Sequence, residues 1–181
     1  MLNFNEIESK AYELLVNGME TSPPIDIDTI IKNQEVWVRD DPTLGDEVIG
    51  KISFEGDRPI ISINPRNNLY DARRRFTLAH ELGHYVLHTQ EKREFVDRAD
   101  EMYRGKASNR FEVEANHFAA CILMPYKSLM NKAKEKIDFF KSNPDAYSYD
   151  EFVRLLAQDF QVSAQSMRFR LKNIGLVEDS S

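Results

Sequence analysis

The sequence predicts an α+β fold: a small sheet with helices packed around it, ending in a short helical tail. Two observations lead there. Runs of β-branched and alternating apolar residues are confined to one stretch, residues 35–64, whereas apolar residues at three- and four-residue spacing dominate before and after it. With 181 residues the chain fits one domain, with room for a small appendage, and can bury a real core without covalent staples.

Taken in order, Phe4, Ile7, Ala11, Leu14 and Leu15 recur at helical spacing and predict a first amphipathic helix. In "TSPPIDIDTIIKNQ" the two prolines stop the chain, Asp26 can cap a new turn, and Ile27, Ile30 and Ile31 face inward. Strand signal follows in "EVWVR", "VIGKISFE" and "PIISIN", the last two separated by Gly56, Asp57 and Arg58, which suits a hairpin. Pro59 favours an edge position or a strand start. The pattern is helical from Leu69 to His88. The charged stretch "TQEKREFVDRADEMYRGKASNR" then leads into a second strong helix, Phe111 to Met124, stopped by Pro125. A further helix runs to about Phe140, "KSNPDAYS" reads as a linker, and two short helices close the chain. The expected division is residues 1–140 as the main domain and 141–181 as a helical segment.

Bulk properties exclude several classes. A single cysteine, Cys121, forms no intrachain bridge, and its setting in "FAACILMP" suggests a buried thiol in a reducing compartment. The first fifteen residues lack the basic and apolar regions of a signal peptide, and nowhere do 18 apolar residues run together. A soluble cytoplasmic protein with no membrane partner is expected. A formal net charge of −6 argues against a chain-wide nucleic-acid surface.

The chemistry concentrates in "FTLAHELGHYVLH", residues 76–88. Positions four apart on a helix stand within about 40° of each other, so His80 and His84 can chelate one ion from one face. Zinc suits two neutral imidazoles, and Glu81 is placed to take a proton from a water molecule at the metal. Phe76, Leu78, Ala79, Leu82, Val86 and Leu87 make the helix apolar nearly all round, so the polar triplet would be trapped without a ligand. Gly83 costs roughly 1 kcal/mol of helix propensity and wants a reason, such as close approach of neighbouring backbone.

A catalytic zinc wants a third protein ligand, and "RFEVEANHFAACILMP" offers candidates. Phe111, Ala115, Phe118 and Ile122 form its core stripe, and Ala119 and Ala120 permit close helix packing. Glu112 and Glu114 lie about 200° apart, so both cannot face one metal. Glu114 shares its side with Phe118 and Cys121, and Glu112 shares its side with Asn116 and Ala119; periodicity leaves the choice nearly even. His117 is a weaker third candidate.

"RRRFTLAHELGHYVLH" followed by "EVEANHFAACILMP" resembles the ImmA/IrrE family of bacterial and phage metallopeptidases. "GKISFEGDRPIISIN" is similar to the hairpin before that family's metal helix, and "LAQDFQVSAQSMRFRLKNIGLV" to its helix-turn-helix-like carboxy-terminal segment. The resemblance covers most of the chain. It implies a zincin-like arrangement with zinc on His80, His84 and Glu114 and with Glu81 as general base. It further implies cleavage of a helix-turn-helix transcriptional repressor, the partner and substrate, de-repressing a mobile element, prophage or stress regulon. Two imidazoles and a carboxylate would also accept manganese or iron.

His88, Tyr85, Tyr103 and Arg110 are candidates to stabilise the oxyanion or to support the ligands. The hairpin offers an edge to which an extended peptide could add. Two rivals remain: a non-catalytic antirepressor, and a DNA-binding regulator using Arg168, Arg170 and Lys172 of the tail. Residues 151–181 balance four basic side chains (Arg154, Arg168, Arg170, Lys172) against four acidic ones (Glu151, Asp159, Glu178, Asp179), which is poor for phosphate binding. Nucleic acid is therefore not an expected partner of this chain.

Overall fold

The computed structural model of the chain describes residues 2–17, 22–98 and 110–177. Among these it has seven α-helices and a four-stranded mixed sheet, the expected α+β class. Helix α1 (Phe4–Asn17) buries Ile7, Ala11 and Leu15 as the spacing predicts, but Phe4 stays half exposed and stacks on His117. In α2 (Ile27–Asn33), Asp26 caps the helix by accepting from the Thr29 amide, and Ile27, Ile30 and Ile31 are buried.

The sheet comprises β1 (Trp37–Asp40), β2 (Val48–Glu55), β3 (Arg58–Ile63) and β4 (Phe95–Arg98), in the order β1-β3-β2-β4. β2 and β3 form the expected antiparallel hairpin, with Glu55 opposite Arg58 and Gly56 in the left-handed region at φ 64°. β1 pairs with β3 in parallel. Pro59 is the second residue of β3 and precedes the pairing with β1, which begins at Ile60, so its missing amide falls where that side of the strand is unpaired. β4 is an addition that the sequence reading did not foresee. It pairs antiparallel with β2 across an irregularity between Val48 and Gly50. Each hairpin strand is flanked on its outer side over part of its length, β2 by β4 at Val48–Ile52 and β3 by β1 at Ile60–Ile63, so the edge expected for an incoming peptide is narrowed to the end nearest the turn.

Helix α3 (Asp71–His88) packs across β2 and β3, and α4 (Arg110–Leu123) packs on α3. A Cβ added at Gly83 would sit 3.2 Å from both the Cα and the carbonyl oxygen of Ala115, so the glycine lets the two helix backbones close on each other. α1 covers α4 from the other side, and α5 (Tyr126–Ser142) follows Pro125. No described helix is long and apolar enough to cross a membrane.

A single 3₁₀ turn, Pro144–Ala146, occupies the expected linker, and α6 (Tyr149–Phe160) and α7 (Ala164–Asn173) close the described chain. These two join by a short turn in which Gln161 adopts φ 52°, giving the helix-turn-helix-like segment. Val153, Leu156, Phe160, Met167 and Leu171 enter the same apolar cluster as α1, α3 and α4.

Arg170, one of the tail's three candidate DNA contacts, is 1 % exposed. Its guanidinium donates to the Met124 carbonyl at 3.1 Å, to Cys121 Sγ at 3.3 Å and to the Glu8 carboxylate. Burial meanwhile pushes the Cys121 thiol up to about 12, so it remains protonated. Removing one partner from such a buried charge network costs about 3 kcal/mol or more. Arg170→Ala should accordingly destabilise the chain by about that amount in urea unfolding monitored by circular dichroism. A change of less than about 1 kcal/mol would deny Arg170 its structural role.

Candidate metal centre

α3 carries His80, Glu81, His84 and His88, all buried. The imidazoles of His80 and His84 meet as i, i+4 neighbours, Nε2 to Nε2 at 3.0 Å. The acid that joins them is Glu112. Its Oε2 lies 3.2 Å from His80 Nε2 and its Oε1 lies 3.3 Å from His84 Nε2. Glu114 instead faces His88, with Oε2 at 3.1 Å from His88 Nε2, and its Oε1 accepts from the Leu2 amide at 3.2 Å. The expectation that Glu114 would meet His80 and His84 is therefore corrected by the geometry. The cause is the azimuth of α4: Ala115 abuts Gly83, so the side shared by Glu112, Ala115 and Asn116 turns to α3. His117 lies against Phe4 of α1.

His80, His84 and Glu112 form a group that can hold a metal ion, one ligand atom from each lying within 4.8 Å of the others. The donors fit. Ligands about 2.0–2.1 Å from a tetrahedral ion stand about 3.3 Å apart, close to the three spacings given above. The supporting contacts fit as well: Asn116 Oδ1 lies 3.0 Å from His80 Nδ1 and accepts its N–H, which leaves Nε2 turned to the cluster. The Phe95 ring from β4 stacks on His84 with centroids 4.4 Å apart, fixing the imidazole plane.

Glu81 is the anomaly. It is fully buried, and neither carboxylate oxygen makes a well-formed hydrogen bond, the Ile52 backbone amide being its nearest donor. Its room comes from Gly50 of β2, where an added Cβ would fall 2.9 Å from Glu81 Oε1 and 2.8 Å from Thr77 Cγ2. Desolvation holds its carboxyl well above the usual range, helped by the nearby charges of Asp97 and Glu112 and opposed by His80.

The cluster shares its charge unevenly. Burial pulls His80 down, but the Glu112 hydrogen bond and the charges of Asp97, Glu81 and Glu112 outweigh it and raise His80 to about 9. Burial, only partly offset by Glu112 and reinforced by charged His80, drops His84 to about 4. Glu112 would rise on burial, yet the His80 and His84 imidazoles beside it hold it well below the usual carboxylate range. Without metal, one proton thus sits on His80 against ionised Glu112, with His84 neutral.

Of the remaining expected site residues, His88 reaches the cluster through His84, Nδ1 to Nδ1 at 3.0 Å. Tyr85 packs towards Phe54 and lines a groove with Trp37 and Arg58. Arg110 pairs with Glu91 and lies over the Phe111 ring, and neither Tyr85 nor Arg110 contacts the donor cluster. Tyr103 lies outside the described residues. Sequence reasoning did not single out Asn116, Gly50, Phe95 or buried Asp97. Only Asn116 left a signal, four residues after Glu112 on the same helical side. A second groove, lined by Tyr70, Phe76, Thr77, Asn116, Ala120 and Phe169, runs from beside the His80 partner to α7.

Comparison with known proteins places this geometry in context. An uncharacterised immunity region protein of Bacillus phage phi105 is 31% identical over 116 residues, an alignment spanning 64% of this chain and 66% of that protein. A solved Mycobacterium tuberculosis transcriptional regulator has a similar fold, with a TM-score of 0.58 at 16% identity. That match covers 93% of this chain but only 46% of the regulator. Residues 32–172, which include the donor cluster, the sheet and both C-terminal helices, match the family described as the IrrE N-terminal-like domain, and the chain belongs to that family.

Proposed function

We propose that the chain is a cytoplasmic metal-dependent endopeptidase, with zinc as its ion on His80, His84 and Glu112, that cleaves a helix-turn-helix transcriptional repressor. The observation that carries the chemistry is Glu81: a fully buried carboxyl whose oxygens make no well-formed hydrogen bond, one residue from the first histidine of a fitting donor set. A purely structural cluster would have no use for it, since an unsatisfied buried carboxyl is costly. When bound, a zinc ion supplies Lewis acidity, polarising a peptide carbonyl and bringing water's pKa towards about 7. Glu81 then acts as general base: it takes a proton onto its carboxylate and passes it to the departing amine. Its full burial beside Gly50 keeps bulk water from competing for that proton.

The repressor as substrate rests on the family and on the immunity-region relative in a phage. In this reading the helical segment from residue 141 onwards holds to the peptidase part and lends α7 to the groove beside Asn116. A DNA-reading tail is disfavoured, because Arg170 is buried and Arg168 pairs with Asp150 at 2.8 Å.

Incubating the purified zinc-loaded protein with the helix-turn-helix regulator encoded beside its gene should yield discrete cleavage. Glu81→Gln should retain zinc but lose at least about 100-fold in rate; cleavage by that variant at the wild-type rate would sink the mechanism. In the ligand set, Glu112→Ala should bind zinc below stoichiometry by elemental analysis, and full occupancy would remove Glu112 from the set.

The charge distribution predicts a pH dependence. Zinc needs a neutral imidazole, and His80 in the metal-free protein is protonated up to about 9. Apparent affinity should therefore rise with pH, by up to about tenfold per unit, as pH approaches that value. Calorimetry at neutral pH in buffers of different ionisation enthalpy should show about one proton released per ion. The raised His80 value also stabilises the metal-free fold below its ordinary 6.5, a contribution lost as pH climbs through about 9. An affinity independent of pH between these values would contradict the assignment.

A further inference from the structure

Glu114 and His88 are 3 % and 1 % exposed, so water cannot serve as an alternative partner for either. Their contacts form one line. The Leu2 amide donates to Glu114 Oε1 at 3.2 Å, Glu114 Oε2 lies 3.1 Å from His88 Nε2, and His88 Nδ1 lies 3.0 Å from His84 Nδ1. A carboxylate only accepts, so His88 Nε2 must carry a hydrogen. Neutral His88 then has a bare Nδ1, which can only accept, so His84 must carry its hydrogen on Nδ1. His84 Nε2 is left with its lone pair, which accepts from His80 Nε2 at 3.0 Å, so that the His80 N–H is shared between His84 and the Glu112 carboxylate at 3.2 Å.

We propose that Glu114 and His88 are positioning residues: a relay from the Leu2 amide through both side chains locks His84 in the tautomer that presents Nε2 to a metal. The proposal rests on the reading of His80, His84 and Glu112 as the metal ligands. It gives the N-terminal segment a share in the site, although that segment lies outside the family-matched residues 32–172. Glu114 thus acts on the metal through two imidazoles. Packing alone is a distinct role for His88, which meets the Phe111 ring at 4.9 Å and Phe95 at 5.6 Å.

His88→Phe keeps the aromatic packing and removes the acceptor, whereas His88→Gln restores both an acceptor carbonyl and a donor amide. Long-range proton–nitrogen NMR on the metal-free protein reads the tautomer of His84, and chelator competition reads zinc affinity. The expected wild-type tautomer has hydrogen on Nδ1. His88→Phe should shift it to Nε2 and weaken zinc binding by about 10–100-fold. His88→Gln should recover most of both, Glu114→Ala should follow His88→Phe, and Leu2→Pro, which removes the amide hydrogen, should give a smaller loss in the same direction. An Nε2–H tautomer in the wild type, an affinity for His88→Phe within about twofold of wild type, or no recovery in His88→Gln would each overturn the relay. Absence of zinc binding by the wild type would instead overturn the proposed function, while the metal-free tautomer still decides the relay.

Discussion

The contact of Gly83 with the Ala115 backbone governs this structure. Two helices that approach at a glycine can set polar side chains from each into one small volume, and α3 and α4 do so on either side of that contact. Phe111 lies by His88, Glu112 by His84 and His80, and Asn116 by His80, so α4 runs antiparallel to α3. A side chain at residue 83 would push Ala115 by a few tenths of an ångström, and the donor spacings near 3 Å have little slack to absorb that shift. Packing and chemistry are therefore the same feature viewed at two scales.

That closeness creates an electrostatic problem, and the chain answers it unequally. Glu112 is compensated by both imidazoles, and His80 by Asn116 and the neighbouring carboxylates. Glu81 has both carboxylate oxygens buried without a well-formed hydrogen bond. Folds tolerate an uncompensated polar group at depth mainly where function draws on it. The strand side supports this view, because β2 places glycine where any other residue would crowd the Glu81 carboxylate. The cost is concentrated on one side chain, and the sheet is shaped to admit it.

How much of this was legible in the sequence follows from where the information resides. His80, Glu81 and His84 lie within five residues of one helix, so helical geometry alone relates them. The choice between Glu112 and Glu114 depends on how α4 is rotated about its axis when it docks, a tertiary quantity. Periodicity could say that the two residues face opposite ways, but not which way α3 lay. The Asn116 amide, on the Glu112 side, was the local clue. The helices and the hairpin were readable from apolar spacing and turn chemistry. β4 was not: it is four residues long inside a charged stretch, and one of its two inward residues is an aspartate. Arg170 misled for a related reason. Basic side chains beside an apolar stripe usually meet solvent, and its burial depends on acceptors 46 to 162 residues away in the chain.

Arg170 also ties the C-terminal helices to the rest of the fold. Its guanidinium grips Met124, at the end of α4, together with Cys121 one turn earlier, while Glu112 sits near the other end of the same helix. One rigid element therefore carries the carboxylate of the donor cluster and the anchor of the tail. α1 closes over it by the Phe4–His117 stack and the Arg170–Glu8 pair. A charge that could have met phosphate is used to hold α7 onto α4. The tail thereby becomes a wall of the groove that leads away from Asn116. A helix-turn-helix outline can thus arise from packing demands alone: its basic side chains must be followed to their partners before the outline is read as a function.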